Sequence, residues 1–266
     1  MPDPCQQTAN LDGLQITYRE QGDGPAMVFL HGLAGNARSW QRQFDEFANS
    51  HRVIAWDAPG FGGSDCVAAD VETFAHTLKA LLDHLALDQV LLTGHSMGGI
   101  VAGRFAGLYP EQVKALALSC TFWGGTRTIG GPLGAGYQAR VDSLKSTSAE
   151  NYGKQRAAAM LPTGTDQNTV DLAASIAAET RADGLEAAAR LLQEADNRDI
   201  LKTLTMPVMV LQGELDPVIA KETSDKLAYM IPDASRVTIK GAGHAPYLEF
   251  PEPYNNALRH AFGIID

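Results

Sequence analysis

Gly94-His95-Ser96-Met97-Gly98 places a hydroxyl nucleophile in the pattern small-x-Ser-x-small. An apolar run, Val90 to Thr93, precedes it and a helix-compatible run, Gly99 to Tyr109, follows, which is the strand-to-helix setting of a nucleophile elbow. Small residues two positions before and after the Ser allow a tight turn that lifts the hydroxyl clear and aims backbone N–H groups at one point. The same five residues also occur in ordinary Gly-rich turns, so the assignment needs chemical partners elsewhere in the chain.

A Ser hydroxyl is a weak nucleophile until a base takes its proton and an acid orients that base. Gly213-Glu214-Leu215-Asp216-Pro217 follows the apolar run Val208 to Gln212, and Gly241-Ala242-Gly243-His244-Ala245-Pro246 follows Arg236 to Ile239. Ser96, Asp216 and His244 thus each stand in a segment leaving a strand end, in an order suited to nucleophile, acid and base. His76, His84 and His260 fall on helical patterns and His51 precedes a strand, so these read as surface or packing residues. Two rivals to Asp216 are weaker. Glu214 sits one pleat earlier and faces away, and the strand end at Ser119 to Trp123 contains no carboxylate.

Acyl transfer develops an oxyanion, which needs N–H donors. The N–H of Met97, just after the nucleophile, and that of Leu33, in His31-Gly32-Leu33-Ala34-Gly35 after the run Ala26 to Leu30, are the expected pair. His31 then ties the loop down. Phe122 and Trp123, just past the strand after the elbow helix, are expected to line the acyl pocket, while Trp40 reads equally as core packing under the oxyanion loop. Asp57-Ala58-Pro59-Gly60-Phe61-Gly62-Gly63-Ser64-Asp65 superficially suggests a phosphate loop. It lacks the Lys and the spacing of one, and reads better as a rigid turn at a strand end.

These residues need a scaffold. Leu14 to Glu20 alternates after Asp12-Gly13, one arm of an antiparallel hairpin that Gly22-Asp23-Gly24-Pro25 is expected to close. The runs Ala26 to Leu30, Val53 to Trp56, Val90 to Thr93, Ala115 to Ser119, Val208 to Gln212 and Arg236 to Ile239 are apolar on both alternations, as parallel strands buried on two faces must be. Helical patterns such as Val71 to Leu85 separate several of them, so the fold class is α/β, a mostly parallel doubly wound sheet flanked by helices. From 122 to 201 the strand signal stops, and helices are expected over Ala135 to Lys145, Ala149 to Met160, Gln167 to Arg181 and Gly184 to Ala195. Residues 1–121 and 202–266 then form the core domain, with 122–201 a helical cap over the strand ends where open α/β sheets bind ligands.

Composition narrows the partners. A chain of 266 residues, 45% hydrophobic and 20% charged, is an ordinary globular protein with room for one large core and an insertion. Its formal net charge of −10, with no basic block, argues against nucleic acid or anionic membrane as a partner. Cys5, Cys66 and Cys120 have neither disulfide-framework nor metal-ligand spacing, and no cofactor fingerprint is present. Met1 to Gln7 shows neither a basic nor an apolar leader region, and no run approaches a membrane span, so a cytoplasmic location is the expectation. Oligomeric state stays open.

The chain resembles the α/β-hydrolase superfamily over nearly its whole length except the cap. The resemblance rests on His31-Gly32, the Asp57-x-x-Gly60-x-Gly62-x-Ser64 turn, the Gly94 to Gly98 elbow, Gly213-x-x-Asp216 and Gly243-His244, in that order. It implies the α/β-hydrolase fold and a serine hydrolase of small carboxylic esters or lactones, working through an acyl-enzyme without metal or cofactor. Ser96 stands where dehalogenases and epoxide hydrolases carry Asp, and Leu33-Ala34 where cofactor-free haloperoxidases tend to carry an aromatic residue and Pro. Residues 183–199 resemble 3-oxoadipate enol-lactonase-like proteins, whereas His244-Ala245-Pro246-Tyr247 resembles generic carboxylesterases. C–C bond hydrolysis of dienone acids on the same triad is an alternative, although meta-cleavage hydrolases commonly have Asn and Trp where this chain has His95 and Ala245. A ligand receptor and a cofactor-independent oxygenase are alternatives of another class.

Overall fold

The computed structural model describes residues 4–264, so residues 1–3 of the segment read above for a leader lie outside the described residues. Asp12 and Gly13 both have positive φ (54° and 97°), as a two-residue hairpin turn requires. They join β1 (Cys5–Leu11) to β2 (Leu14–Gln21) in an antiparallel pair. The turn is therefore at Asp12-Gly13, which corrects the expectation that Gly22 to Pro25 closes the hairpin. Tyr18 to Gln21 of β2 pairs with β4 (Arg52–Trp56), so the segment after β2 instead carries the chain past β4 to β3 (Ala26–Leu30).

Among the described residues eight strands form one sheet, in the order β1-β2-β4-β3-β5-β6-β7-β8. β5 (Val90–His95), β6 (Val113–Ser119), β7 (Val208–Gly213) and β8 (Ser235–Ile239) continue it, and every pairing from β4 to β8 is parallel. β3 shows why its sequence is apolar without alternation. Val28 and Leu30 join a core with Ile54, Leu92 and Ile100, whereas Met27 and Phe29 face a second core with Trp40, Phe44 and Tyr254. Both faces are buried, so both alternations must be apolar.

Helices α2 (Val71–His84), α3 (Met97–Leu108) and α8 (Lys221–Met230) cover the first face, and α1 (Gln41–Phe47) and α10 (Pro251–Phe262) the second. α2 illustrates the local rule. Asp70 caps it by accepting the N–H of Thr73 at 2.8 Å, and Val71, Phe74, Ala75, Leu78, Leu81 and Leu82 recur at helical spacing on its buried side.

Between β6 and β7 lie α4 (Ala135–Ser146), α5 (Ala149–Met160), α6 (Gln167–Ala177) and α7 (Ala182–Glu194). α6 stops four residues short of the expected Arg181, and the Thr180 N–H (3.2 Å) and hydroxyl (2.8 Å) both bond the Ala177 carbonyl, tightening the turn at its end. That irregular link fastens the segment to the rest of the chain. Glu179 accepts from Asn36 Nδ2 (2.7 Å) and pairs with Arg38, and Arg181 donates to the carbonyls of Gly62 (3.0 Å) and Ser64 (2.9 Å). A Cβ on Gly184 would stand 1.9 Å from the Gly60 carbonyl oxygen, so two glycines make this approach possible. The exit is pinned to α3, where Asn197 donates to the Ile100 carbonyl (2.8 Å) and accepts from Arg104 (2.9 Å).

Candidate active site

Ser96 stands between β5 and α3 with φ 52° and ψ −115°, a conformation that L residues rarely adopt. The flanking glycines make this turn possible. A Cβ on Gly94 would lie 2.3 Å from the Gly98 carbonyl oxygen, and one on Gly98 would lie 2.2 Å from the Leu30 carbonyl oxygen. The Ser96 N–H donates to the Ser119 carbonyl (2.9 Å), and the Ser96 carbonyl accepts from the Thr121 hydroxyl (2.6 Å). Its backbone is thus held on both sides while Oγ is left for another partner.

That partner is His244, whose Nε2 lies 3.1 Å from Ser96 Oγ. His244 follows β8, and its backbone N–H donates to the Met160 carbonyl at the end of α5 (2.9 Å). Its Nδ1 lies 2.9 Å from Asp216 Oδ2 and 3.1 Å from Oδ1. With a carboxylate facing Nδ1, the consistent assignment is Nδ1–H donating to Asp216 and Nε2 accepting from Ser96. The Asp216 side chain is fully buried, and its Oδ1 also accepts the N–H groups of Val218 (2.8 Å) and Ile219 (3.0 Å). Burial pulls Asp216 upward, but the bond from His244, its charge and the two amides outweigh that and hold the carboxyl below its ordinary range.

Glu214, the rival acid, points elsewhere and accepts the Gly241 N–H at 2.8 Å, tying the exit of β7 to that of β8. The two exits also meet at Gly213, where a Cβ would fall 1.9 Å from the Gly243 carbonyl oxygen. Cys120 occupies the end of β6 where the sequence offers no carboxylate. Burial, and then the Asp216 charge, push its thiol well up, so it stays protonated beside the Asp216–His244 pair.

Leu33 lies at the cavity in front of Ser96, and Met97 opens α3 fully buried. Neither N–H is bonded to another group among the described residues. His31 satisfies both ring nitrogens within the loops: Nδ1–H donates to the Gly32 carbonyl (2.8 Å) and Nε2 accepts the Ala58 N–H (2.9 Å). Asp57 accepts from the Thr17 hydroxyl (2.6 Å) and the Ala37 N–H (2.8 Å), so with the Ala58–His31 bond the start of the Asp57 to Asp65 turn is tied to the segment that follows β3.

A cavity of about 500 Å³ opens in front of Ser96 and His244. Phe122 lines it. Trp123 is not among its lining residues: it packs half-buried against the core, and its carbonyl accepts the Asn197 N–H (2.8 Å), so the pair of aromatics is divided between two roles. Trp40 is fully buried, with ring centroids 4.9 Å from Phe29 and 4.6 Å from Tyr247, which makes it core packing. The sequence reading missed Arg127, Arg140 and Arg156, all of which line the cavity. They lie far apart in the chain on a segment with little amphipathic pattern, so no periodic signal marked them.

The family model for the alpha/beta hydrolase fold matches residues 25–251. The chain belongs to that family. As an α/β hydrolase it is similar to pimeloyl-[acyl-carrier protein] methyl ester esterase of Aeromonas hydrophila, at 30% identity over 94% of this chain and 100% of the relative. It is also similar to 3-oxoadipate enol-lactonase 2 of Acinetobacter baylyi, at 27% identity over 90% of this chain and 88% of that one. A malate-bound thermophilic esterase from Thermogutta terrifontis superposes with a TM-score of 0.85 at 26% identity, covering 96% and 97% of the two chains. The hydrolase is thus placed with enzymes named for ester and lactone cleavage. No described helix is long and apolar enough to cross a membrane.

Proposed function

We propose that this α/β hydrolase is a serine hydrolase that cleaves small carboxylic esters or lactones through an acyl-enzyme. The observation that carries the reading is the relay from Asp216 through both nitrogens of His244 to Ser96 Oγ, at 2.9 Å and 3.1 Å. In the first half-reaction His244 Nε2 takes the Ser96 proton as Oγ bonds to the substrate carbonyl carbon. The carbonyl π electrons move to its oxygen, which the N–H groups of Leu33 and Met97 stabilise. Collapse restores the carbonyl and expels the alcohol oxygen, which takes the proton from His244. In the second half-reaction water gives its proton to His244 and attacks the acyl carbon, and Ser96 leaves with that proton. Asp216 fixes the tautomer and offsets the imidazolium charge in both halves.

In this reading 1–121 and 202–266 form the catalytic core and 122–201 a cap, with Phe122 beside the acyl group. A cytoplasmic location accords with the free thiols Cys5, Cys66 and Cys120. Fluorophosphonate labelling tests the nucleophile. Wild-type protein is expected to gain one adduct on the Ser96 peptide, and Ser96→Ala to lose activity by about 10⁶-fold. Labelling on another residue, or an active Ala variant, overturns the assignment.

A further inference from the structure

The charge of the cavity is opposite to that of the protein. The chain carries a formal net charge of −10, yet Arg127, Arg140 and Arg156 line the space in front of Ser96, and no Asp or Glu does among the described residues. All three come from the segment between β6 and β7: Arg127 from the stretch before α4, Arg140 from α4 and Arg156 from α5. Most basic side chains elsewhere find acids, as Arg52 does with Glu20, Arg104 with Glu72 and Arg190 with Glu186, while Arg19, Arg42, Lys114, Lys226 and Lys240 lie outside the cavity lining. These three form no ion pair among the described residues, although Arg140 sits 5.9 Å over the Tyr137 ring.

Arg156 is half-buried in this setting. Burial, and then the neighbouring Arg140 guanidinium, press its pKa downward. Arg140 is also partly buried, whereas Arg127 is exposed at the rim, and two neighbouring like charges at a partly desolvated wall without an acid are unfavourable until an anion joins them. Much of the remaining wall is apolar, with Phe122, Met160, Leu192, Val218 and Ile219 beside the polar Thr223 and Tyr137, so a ligand here meets an apolar stretch as well as the guanidinium groups.

We infer that Arg127, Arg140 and Arg156 form an anion subsite, and that the substrate of the Ser96 centre carries a carboxylate or phosphate separated by an apolar spacer from the scissile ester or lactone bond. The inference rests on the reading of Ser96 as the nucleophile and adds the substrate class. Guanidinium forks suit both anions, since each offers oxygens in pairs for parallel N–H bonds. With the reacting carbonyl held at Ser96 by the core and the charge held by the insertion, the two ends of the substrate are gripped by different parts of the chain. Such anchoring of a non-reacting end positions the scissile bond.

Matched esters test this. The probes are p-nitrophenyl hydrogen adipate against p-nitrophenyl methyl adipate, 4-acetoxybutyrate against its ethyl ester, and a p-nitrophenyl pentanoate ending in phosphate. At least one anionic probe is expected to exceed its neutral counterpart in kcat/KM by about tenfold or more, chiefly through KM, and raised salt to compress the difference. The first two pairs distinguish a charge on the acyl side from one on the alcohol side, and the third distinguishes phosphate from carboxylate. Arg140→Gln and Arg156→Gln are each expected to cut the anionic-to-neutral ratio by about tenfold, with Arg156→Lys restoring part of it. Equal or better turnover of every neutral probe overturns the inference, as does a ratio that neither substitution changes. If no ester is turned over, or Ser96→Ala remains active, it is the serine-hydrolase reading that fails. Calorimetric titration with adipate and with inorganic phosphate then tests the subsite alone: binding that weakens in Arg156→Gln supports it, and binding of neither anion overturns it.

Discussion

The carboxylate of Glu249 accepts the backbone N–H groups of Gly243 (2.9 Å) and Ala245 (3.0 Å), the residues on either side of His244. Glu249 ends the short helix α9 (Pro246–Glu249), so a local turn clips the base-bearing loop to the element that follows it. Burial raises the Glu249 pKa in spite of these two amides. Removing the clip leaves two backbone donors without their acceptor. Glu249→Ala is expected to cost about 1–3 kcal/mol of stability and to lower kcat more than it raises KM, because His244 loses its fixed position. Chemical denaturation and steady-state kinetics on the purified variant check both, and an unchanged kcat removes the positioning role.

Asp216 and Glu214 are separated by a single residue yet serve different contacts, so substitution tells them apart. Asp216→Asn is expected to fold and to lower kcat by about 10⁴-fold, since an amide favours the wrong imidazole tautomer. Glu214→Gln keeps an acceptor for the Gly241 N–H and should change kcat by less than about threefold. A reversal of the two effects reassigns the acid.

Phe122 and Trp123 also part company. Phe122→Ala enlarges the cavity and is expected to shift kcat/KM between short and bulky acyl groups by about 1–3 kcal/mol. Trp123→Ala, which removes a half-buried ring from the core edge, should lower stability by about 2–3 kcal/mol and scale all substrates together. An acyl-length profile of each variant measures this, and a profile altered by Trp123→Ala rather than Phe122→Ala would place the specificity wall on the other side of the chain.

His95 gives the fold a pH dependence of calculable sign. Its imidazole is buried 4.8 Å from the His244 ring, and burial first, then the neighbouring His244, drives its pKa well below the ordinary value. A depressed folded-state pKa means that the unfolded chain binds the proton more readily. Stability is then present above the unfolded pKa of about 6.5 and falls as the pH drops below it, by up to about 1.4 kcal/mol per pH unit for this one group. Denaturant midpoints measured between pH 7 and pH 5 should decline less steeply in His95→Phe than in wild type. Parallel slopes would mean that His95 does not contribute.

Much of the site was legible because its parts are local. The elbow follows from sterics at Gly94 and Gly98, which have no room for a Cβ, and from the strand and helix on either side of Ser96. The two-faced apolar runs gave the parallel strands for the same kind of reason: each residue of β3 records which core it faces. Segments leaving the ends of such strands converge, so the elbow Ser96, with Asp216 and His244 each just past a strand, could be expected to meet, and in the structure their side chains do.

What the sequence by itself determined, then, is the class of fold, the elbow and the loops that bear chemical groups, since each depends on contacts within a few residues or on burial that leaves a periodic trace. Tertiary structure decided the Gly241 N–H as the partner of Glu214, the division of Phe122 from Trp123, the clip from Glu249 and the meeting of Arg127, Arg140 and Arg156 at one cavity. Those arrangements arise where separate segments pack against one another. A largely exposed face of α4 or α5 is under no pressure to repeat apolar residues, and the space that Arg140 and Arg156 share with Arg127 is enclosed only where these segments meet Ser96, Phe122 and Val218.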